Sequence, residues 1–329
     1  MKSTITTVIC SLSMLLCGSN GFSADPPFEQ TRIPVILDTD IGDDIDDTWA
    51  LGFLLRCPEL DVKLVVGDQG KAEYRAKLLA KFLEAAGRID IPVGMGIEKN
   101  ATGGGNQSDW VEDYDLEDYP GTVHQDGVQA IIDTIMNSPE PITLIAVGPL
   151  PNIAEALKRE PKIAQKAKFV GMHGSVRMGY GGSSEISVEY NVRADIPACQ
   201  VSFTAPWDIT ITPLDTCGLI VLKGERYQKV LQSEDPIASA IIENYKFWCK
   251  NQENVNDEMY KSQSSTLFDT VAVYLGFAQD LVKMENLGIE VTDDGYTKIN
   301  PDAKKMDVAT EWKDMAAFEE LLVKRITGE

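Results

Sequence analysis

Between Asp38 and Asp47 the chain sets six aspartates: Asp38, Asp40, Asp43, Asp44, Asp46 and Asp47. Carboxylates this close repel one another. No lysine or arginine lies inside the run, the nearest in sequence being Arg32 and Arg56. A hard divalent cation is the natural partner, and an all-oxygen donor set suits Ca2+ or Mg2+ better than zinc. The spacing is not that of an EF-hand, since Gly42 comes too early and no glutamate closes the loop. Donors from other parts of the chain must therefore complete the site.

The flanking segments show what positions these groups. "IPVILD" is a continuous apolar run, as in a buried strand, and "DTWALGFLLRC" opens a helix. "DVKLVVG" is a second strand, followed by the helical "KAEYRAKLLAKFLEAAG" and a third short strand in "IDIPVGMG". An irregular passage over 98–126 precedes the helix "GVQAIIDTIMNS". "PITLIAVGP" is a central strand, and "NIAEALKRE" a helix capped near Asn152. "KFVGM" and "WDITITPLD" are further strands, with "ADIPACQVSF" between them as a short helix, and past Pro213 the pattern turns mainly helical. The alternation predicts an α/β, Rossmann-like fold: a mostly parallel central sheet, helices on both faces and an extra helical C-terminal part. Ligands of such sheets sit at the carboxyl ends of the strands. The aspartates and the "VGDQG", "AVGP" and "MHGS" turns should converge there.

Those motifs carry a resemblance. "DTDIGDDIDDTWAL" resembles the aspartate signature of the calcium-dependent, inosine-uridine-preferring nucleoside hydrolases. "VGDQG", "LIAVGPLPNIAEAL", "VEYN" with "ADIPACQVSF", "FDTVAVYL" and "MDVATEWKDMAAFEELL" resemble further elements of that family, in order along nearly all the chain from Asp25. The resemblance implies hydrolysis of the N-glycosidic bond of a ribonucleoside to base and ribose, by calcium-bound water activated by Asp40. It implies Ca2+ rather than Mg2+ as cofactor, with Asp40, Asp47, the Val147 carbonyl and Asp269 as metal ligands. Asp46, Glu189 and Asn191 would hold the ribose, and Asp38 would orient the metal shell. Salvage of external nucleosides and a homodimer or homotetramer also follow from it. The sequence departs from the pattern in three places: Phe268 stands where the family keeps a histidine, Asp68 where its turn has asparagine, and Ser183 near an expected asparagine.

Other residues are candidates for substrate contact. His124 and His173 are the only histidines; His124 falls in the irregular passage and His173 after a predicted strand at the rim. Asp68 falls in the "VGDQG" turn, and Trp248, Tyr245 and Tyr260 could stack on a base, although core packing is the ordinary role for each. Two rival functions stay open. A calcium-dependent nucleoside- or sugar-binding protein without turnover would use the same groups. A haloacid-dehalogenase-type phosphatase would use Asp38 as nucleophile and Asp40 as acid, but leaves Asp46 and Asp47 unexplained.

With 329 residues, 43% of them hydrophobic, the chain can bury a sizeable core. Its net charge of −21, from 30 basic and 51 acidic residues, excludes a broad footprint for nucleic acid and argues against anionic membranes. Lys2, the short apolar run "ITTVICSLSMLLC" and small residues up to Ala24 predict an export signal over 1–24. Leu16 is larger than a lipid-anchor motif tolerates before Cys17. The expectation is a periplasmic or secreted single domain over 25–329, with no membrane association once the signal is cleaved and a small-molecule riboside as partner. Cys57, Cys199, Cys217 and Cys249 show no metal-binding spacing and leave disulfides and buried thiols equally open.

Overall fold

The apolar stretch from Pro34 to Leu37 forms the middle of strand β1 (Ile33–Thr39), all but its first residue buried. In the computed structural model, residues 32–100, 105–253 and 255–329 are described. The expected export signal and the Cys17 site lie outside them.

From β1 the chain passes through α1 (Asp46–Leu55), β2 (Leu60–Gly67), α2 (Ala72–Ala85), β3 (Val93–Met95) and the two-residue β4 (Val123–His124). It then crosses α3 (Gly127–Asn137) and returns beside β1 as β5 (Ile142–Ala146). Next come α4 (Pro151–Arg159), β6 (Ala167–Met172), α5 (Tyr190–Ala194), α6 (Ile196–Thr204) and β7 (Ile209–Thr212). The remainder is α7 (Gly224–Leu231), α8 (Pro236–Asn251), α9 (Phe268–Leu275), β8 (Val282–Val291), β9 (Thr297–Ile299), β10 (Lys305–Trp312) and α10 (Met315–Ile326).

The strands form one sheet in the order β4-β3-β2-β1-β5-β6-β7-β10-β8-β9. β1 to β7 and β10 are parallel, while β8 pairs antiparallel with both β10 and β9. Because β2 and β5 flank β1, the winding reverses at the β1/β5 pair. A crevice opens there at the carboxyl ends, where ligands of such sheets bind.

Two apolar layers cover the sheet. On one face α1, α2, α8, α9 and α10 pack around Trp49, Phe53, Phe82, Tyr245 and Phe318. On the other, α3, α4 and α6 pack around Ile131, Leu144, Ile153 and Phe169. Helix α1 is apolar almost all round, with Trp49, Ala50, Leu51, Phe53 and Leu54 all buried, as a helix enclosed by α8, α9 and α10 must be. All four cysteines beyond the expected signal are buried free thiols, which decides between the two states the sequence left open.

The region past Pro213 is mainly helical, as expected, through α7, α8, α9 and α10, with β8, β9 and β10 between the last two helices. β8 escapes the pattern because it carries Lys283, Glu285 and Asn286 in its first half. One sequence expectation is corrected. Asn152 does not cap α4: Pro151 is the first helical residue, and the buried Asn152 amide serves the rim instead, as follows. Among the described residues no helix is long and apolar enough to cross a membrane.

Candidate metal centre and active site

β1 delivers Thr39 to the rim, and the loop over 40–45 turns at Gly42, whose φ of +116° suits glycine. A Cβ at Gly42 would strike the Tyr74 ring. The Thr39 hydroxyl donates to Asp47 Oδ1 and accepts from the Ile41 N–H at 3.1 Å. Buried Arg75, from α2, donates to the Gln69, Asp40 and Ile41 carbonyls and to the Asp43 carboxylate. Asn106 and Trp248 donate to the Asp43 carbonyl, and Gln107 to that of Asp44. The loop is thus fixed largely through its carbonyls, with the Asp43 carboxylate held by Arg75 and that of Asp44 by the Ile45 N–H.

The neighbouring strand ends close the crevice. After β5, Val147 offers its carbonyl, which accepts from Asn191 Nδ2 at 2.8 Å. The next residue, Gly148, lies so near Asp40 and Asp68 that a Cβ would sit 2.8 Å from Asp40 Oδ1 and 2.5 Å from Asp68 Oδ2. Glu189 caps α5: its carboxylate accepts from the N–H groups of Gly174, Asn191 and Val192 at 3.0, 2.7 and 3.2 Å. Asp269 enters at the first turn of α9, and its N–H donates to Asp46 Oδ2 at 3.2 Å. Asp46, Asp47 and Asp269 each present an oxygen within 4.8 Å of the others.

Burial and mutual repulsion push these carboxyls up. Asp40 rises to about 7, chiefly by burial, with Arg75 pulling it back and Asp43 and Asp44 pushing further. Asp46, Asp47 and Asp269 rise well above the carboxylate range for the same reasons. Behind them Asp38 accepts from Asn152 Nδ2 at 2.9 Å and is raised by burial to about 6. Asp38 and Asp68 share a side-chain hydrogen bond, and burial together with the Asp38 charge pushes the Asp68 carboxyl well above the usual range. At the rim, three buried carboxyls within 4.8 Å of one another form an all-oxygen set that fits Ca2+ or Mg2+. The residues therefore fit the ion the sequence implied.

Asp40, Asp46, Asp47, Val147, Glu189, Asn191 and Asp269 line one cavity of about 340 Å³. Other candidates fall elsewhere. Asp38 and Asp68 sit behind this wall and do not line the cavity, so Asp68 is not placed to touch substrate. His173 is fully buried between Phe169 and Phe203, with Nε2 on the Gly148 carbonyl at 3.0 Å. Burial pushes it down to about 3, so it is a neutral brace for the "AVGP" turn. His124 lies on edge strand β4, outside the cavity. Trp248 and Tyr245 are core residues, Trp248 tethering the aspartate loop through Nε1; Tyr260 packs at the margin of that core. Ser183 is exposed.

Sequence reasoning missed Arg75, Tyr180 and Tyr190. Arg75 was detectable, since it heads the stripe Arg75-Leu78-Leu79-Phe82 on the buried face of α2. Tyr180 sits on an irregular segment and Tyr190 opens the five-residue α5, too short for a periodicity to betray it. Together with Met172 and Phe268 they form the cavity's less polar wall.

Fold and site together define a doubly wound α/β protein whose switch point carries an acidic pocket with three carboxylates that could hold a metal ion. The chain belongs to the inosine-uridine preferring nucleoside hydrolase family, whose model matches residues 35–320. It is 32% identical to an inosine-uridine preferring nucleoside hydrolase of Leishmania major, over 68% of this chain and 73% of that one. It is 26% identical to a pyrimidine-specific ribonucleoside hydrolase of Citrobacter koseri, over 73% and 78% of the two chains. A plant nucleoside hydrolase superposes with a TM-score of 0.75 at 23% identity, covering 91% of this chain and all of that one. Membership makes the chain an N-glycosyl hydrolase of the ribonucleoside class, and the dehalogenase-type reading falls with it.

Proposed function

We propose that the protein hydrolyses the N-glycosidic bond of a riboside with the help of one calcium ion. Asp46, Asp47 and Asp269, with Asp40 and the Val147 carbonyl on the same wall, are the residues that would hold the ion. The sequence resemblance assigned Asp46 to a ribose hydroxyl; its place beside Asp47 and Asp269 supports an oxygen donor to the ion as well. When bound, the ion supplies positive charge that orients sugar hydroxyls and water and offsets the crowded carboxylates.

The chain's own groups account for the rest. Asp40 takes the proton of the attacking water, and its backbone is immobilised by Arg75. Glu189, fixed by three N–H groups, and Asn191, fixed by the Val147 and Met172 carbonyls, present rigid polar atoms to the sugar. As the C–N bond breaks, positive charge develops on the ribosyl ring, and the buried carboxylates stabilise it. Export to the periplasm or medium, salvage of external nucleosides and assembly as a homodimer or homotetramer belong to this proposal too.

The observation that carries it is the convergence of Asp269 with Asp46 and Asp47, which lie more than 220 residues apart in sequence. The test is ribose release from inosine, uridine, adenosine and p-nitrophenyl riboside, with calcium and with chelator. Calcium-dependent release that falls at least about 10³-fold in folded Asp40→Asn supports the proposal. Saturable binding without turnover on any riboside refutes it in favour of a binding protein.

A further inference from the structure

We infer that the pocket is specialised for ribosides whose base is already a cation, such as N-alkylpyridinium or N7-alkylpurine ribosides. The inference rests on the hydrolase reading above and names its substrate class.

A neutral nucleoside needs a proton at its departing base, because the nitrogen otherwise leaves as an anion. The less polar lining of the cavity is Met172, Tyr180, Tyr190 and Phe268. Among the described residues lining the cavity there is no histidine, lysine, arginine or cysteine. The amides of Asn106 and Gln252 are not acids, and Asn106 Nδ2 is already donated to the Asp43 carbonyl. The Tyr180 hydroxyl accepts from the Tyr190 N–H at 2.9 Å, and burial pushes both phenols above their ordinary range. The wall offers stacking surface and no ready proton.

A base that already bears positive charge does not need one. Water's oxygen bonds to the anomeric carbon, the C–N bond breaks, and its electron pair goes to the ring nitrogen and cancels the charge. The water's proton passes to Asp40 and on to solvent. Products are ribose, a neutral base and one proton, and nothing is oxidised or reduced.

The electrostatics select the same ligand. Seven carboxylates line the cavity: Asp40, Asp43, Asp44, Asp46, Asp47, Glu189 and Asp269. One divalent ion and the Arg75–Asp43 pair match only part of that acidic lining. Tyr180 stands edge-on to Phe268 with ring centroids 6.1 Å apart, and Tyr180 and Tyr190 are 43% and 38% exposed. Aromatic rings held open beside an acidic lining attract a flat cation.

The experiment compares kcat/KM of the calcium-loaded protein on N-ribosylnicotinamide and 7-methylinosine with that on inosine and uridine. Cationic ribosides should be favoured about 100-fold or more, and Phe268→His, which puts an imidazole in the wall, should narrow the 7-methylinosine-to-inosine ratio at least tenfold. Calorimetry gives a readout free of turnover: the cation 1-methylnicotinamide, quaternised at the pyridine nitrogen, should bind about tenfold more tightly than neutral nicotinamide. Inosine or uridine cleaved as fast as the cationic ribosides, or equal affinities for the two nicotinamides, overturns the inference and leaves the hydrolase reading standing. No ribose from any riboside overturns both.

Discussion

Stripping the metal and raising the pH together should bring this protein close to unfolding, although either change alone is milder. In the fold Asp40 rises from 3.8 to about 7, and Glu189 from 4.5 to about 7, both chiefly through burial. Between about pH 4 and pH 7 the folded chain therefore binds more protons than the unfolded one. Its stability without metal then falls as pH rises through that window and levels off above it. At about 1.4 kcal/mol per pKa unit, with protons shared across a coupled cluster, the loss is on the order of 5 kcal/mol. That equals the whole stability of a marginal domain, about 5 to 15 kcal/mol. Calcium reverses the slope, because binding displaces the shared protons and so strengthens with pH. Thermal unfolding in chelator should show a midpoint lower by about 10 °C at pH 8 than at pH 5, and the increment from calcium should be larger at pH 8. A midpoint in chelator that is flat or rises over that window would refute the argument, as would a calcium increment equal at both ends.

Two substitutions test how the aspartate loop is held. Arg75→Met leaves the buried Gln69, Asp40 and Ile41 carbonyls without donors, and should cost about 3 to 5 kcal/mol in denaturant unfolding with calcium present. It should also move the acid limb of the rate profile upward, since Arg75 pulls the Asp40 carboxyl down. Gly148→Ala puts a methyl against Asp40 Oδ1 and Asp68 Oδ2; steady-state kinetics should show kcat lower by about 100-fold, with a smaller change in KM.

The parallel half of the fold was legible because continuous apolar runs such as 35–37 and 142–146 admit little besides a strand covered on both faces. The acidic wall was legible because crowded charge at a strand end has few physical solutions. What the sequence concealed was depth. Asp38, at the end of β1, and Asp40 and Asp68, just past β1 and β2, share one rim, yet only Asp40 opens on the cavity, and which way each carboxyl turns depends on Asn152 and Gly148 from a distant segment. His173 misled for the same reason: a histidine just after a strand can turn into the core as readily as into the crevice. Arg75 could be placed on the buried face of α2, but its partners could not, because they are backbone carbonyls of a loop it meets only in three dimensions. β8 was hidden because half of it is polar.

The bond from the Asp269 N–H to Asp46 spans 223 residues of sequence. A chain emerging from the ribosome carries the first two aspartates of the triad long before it carries the third. Until α9 has docked beside α1, Asp46 and Asp47 lack their third carboxylate, and closing so long a loop must be driven by the packing of that helix pair. If the triad holds the ion as proposed, chelation waits on that docking.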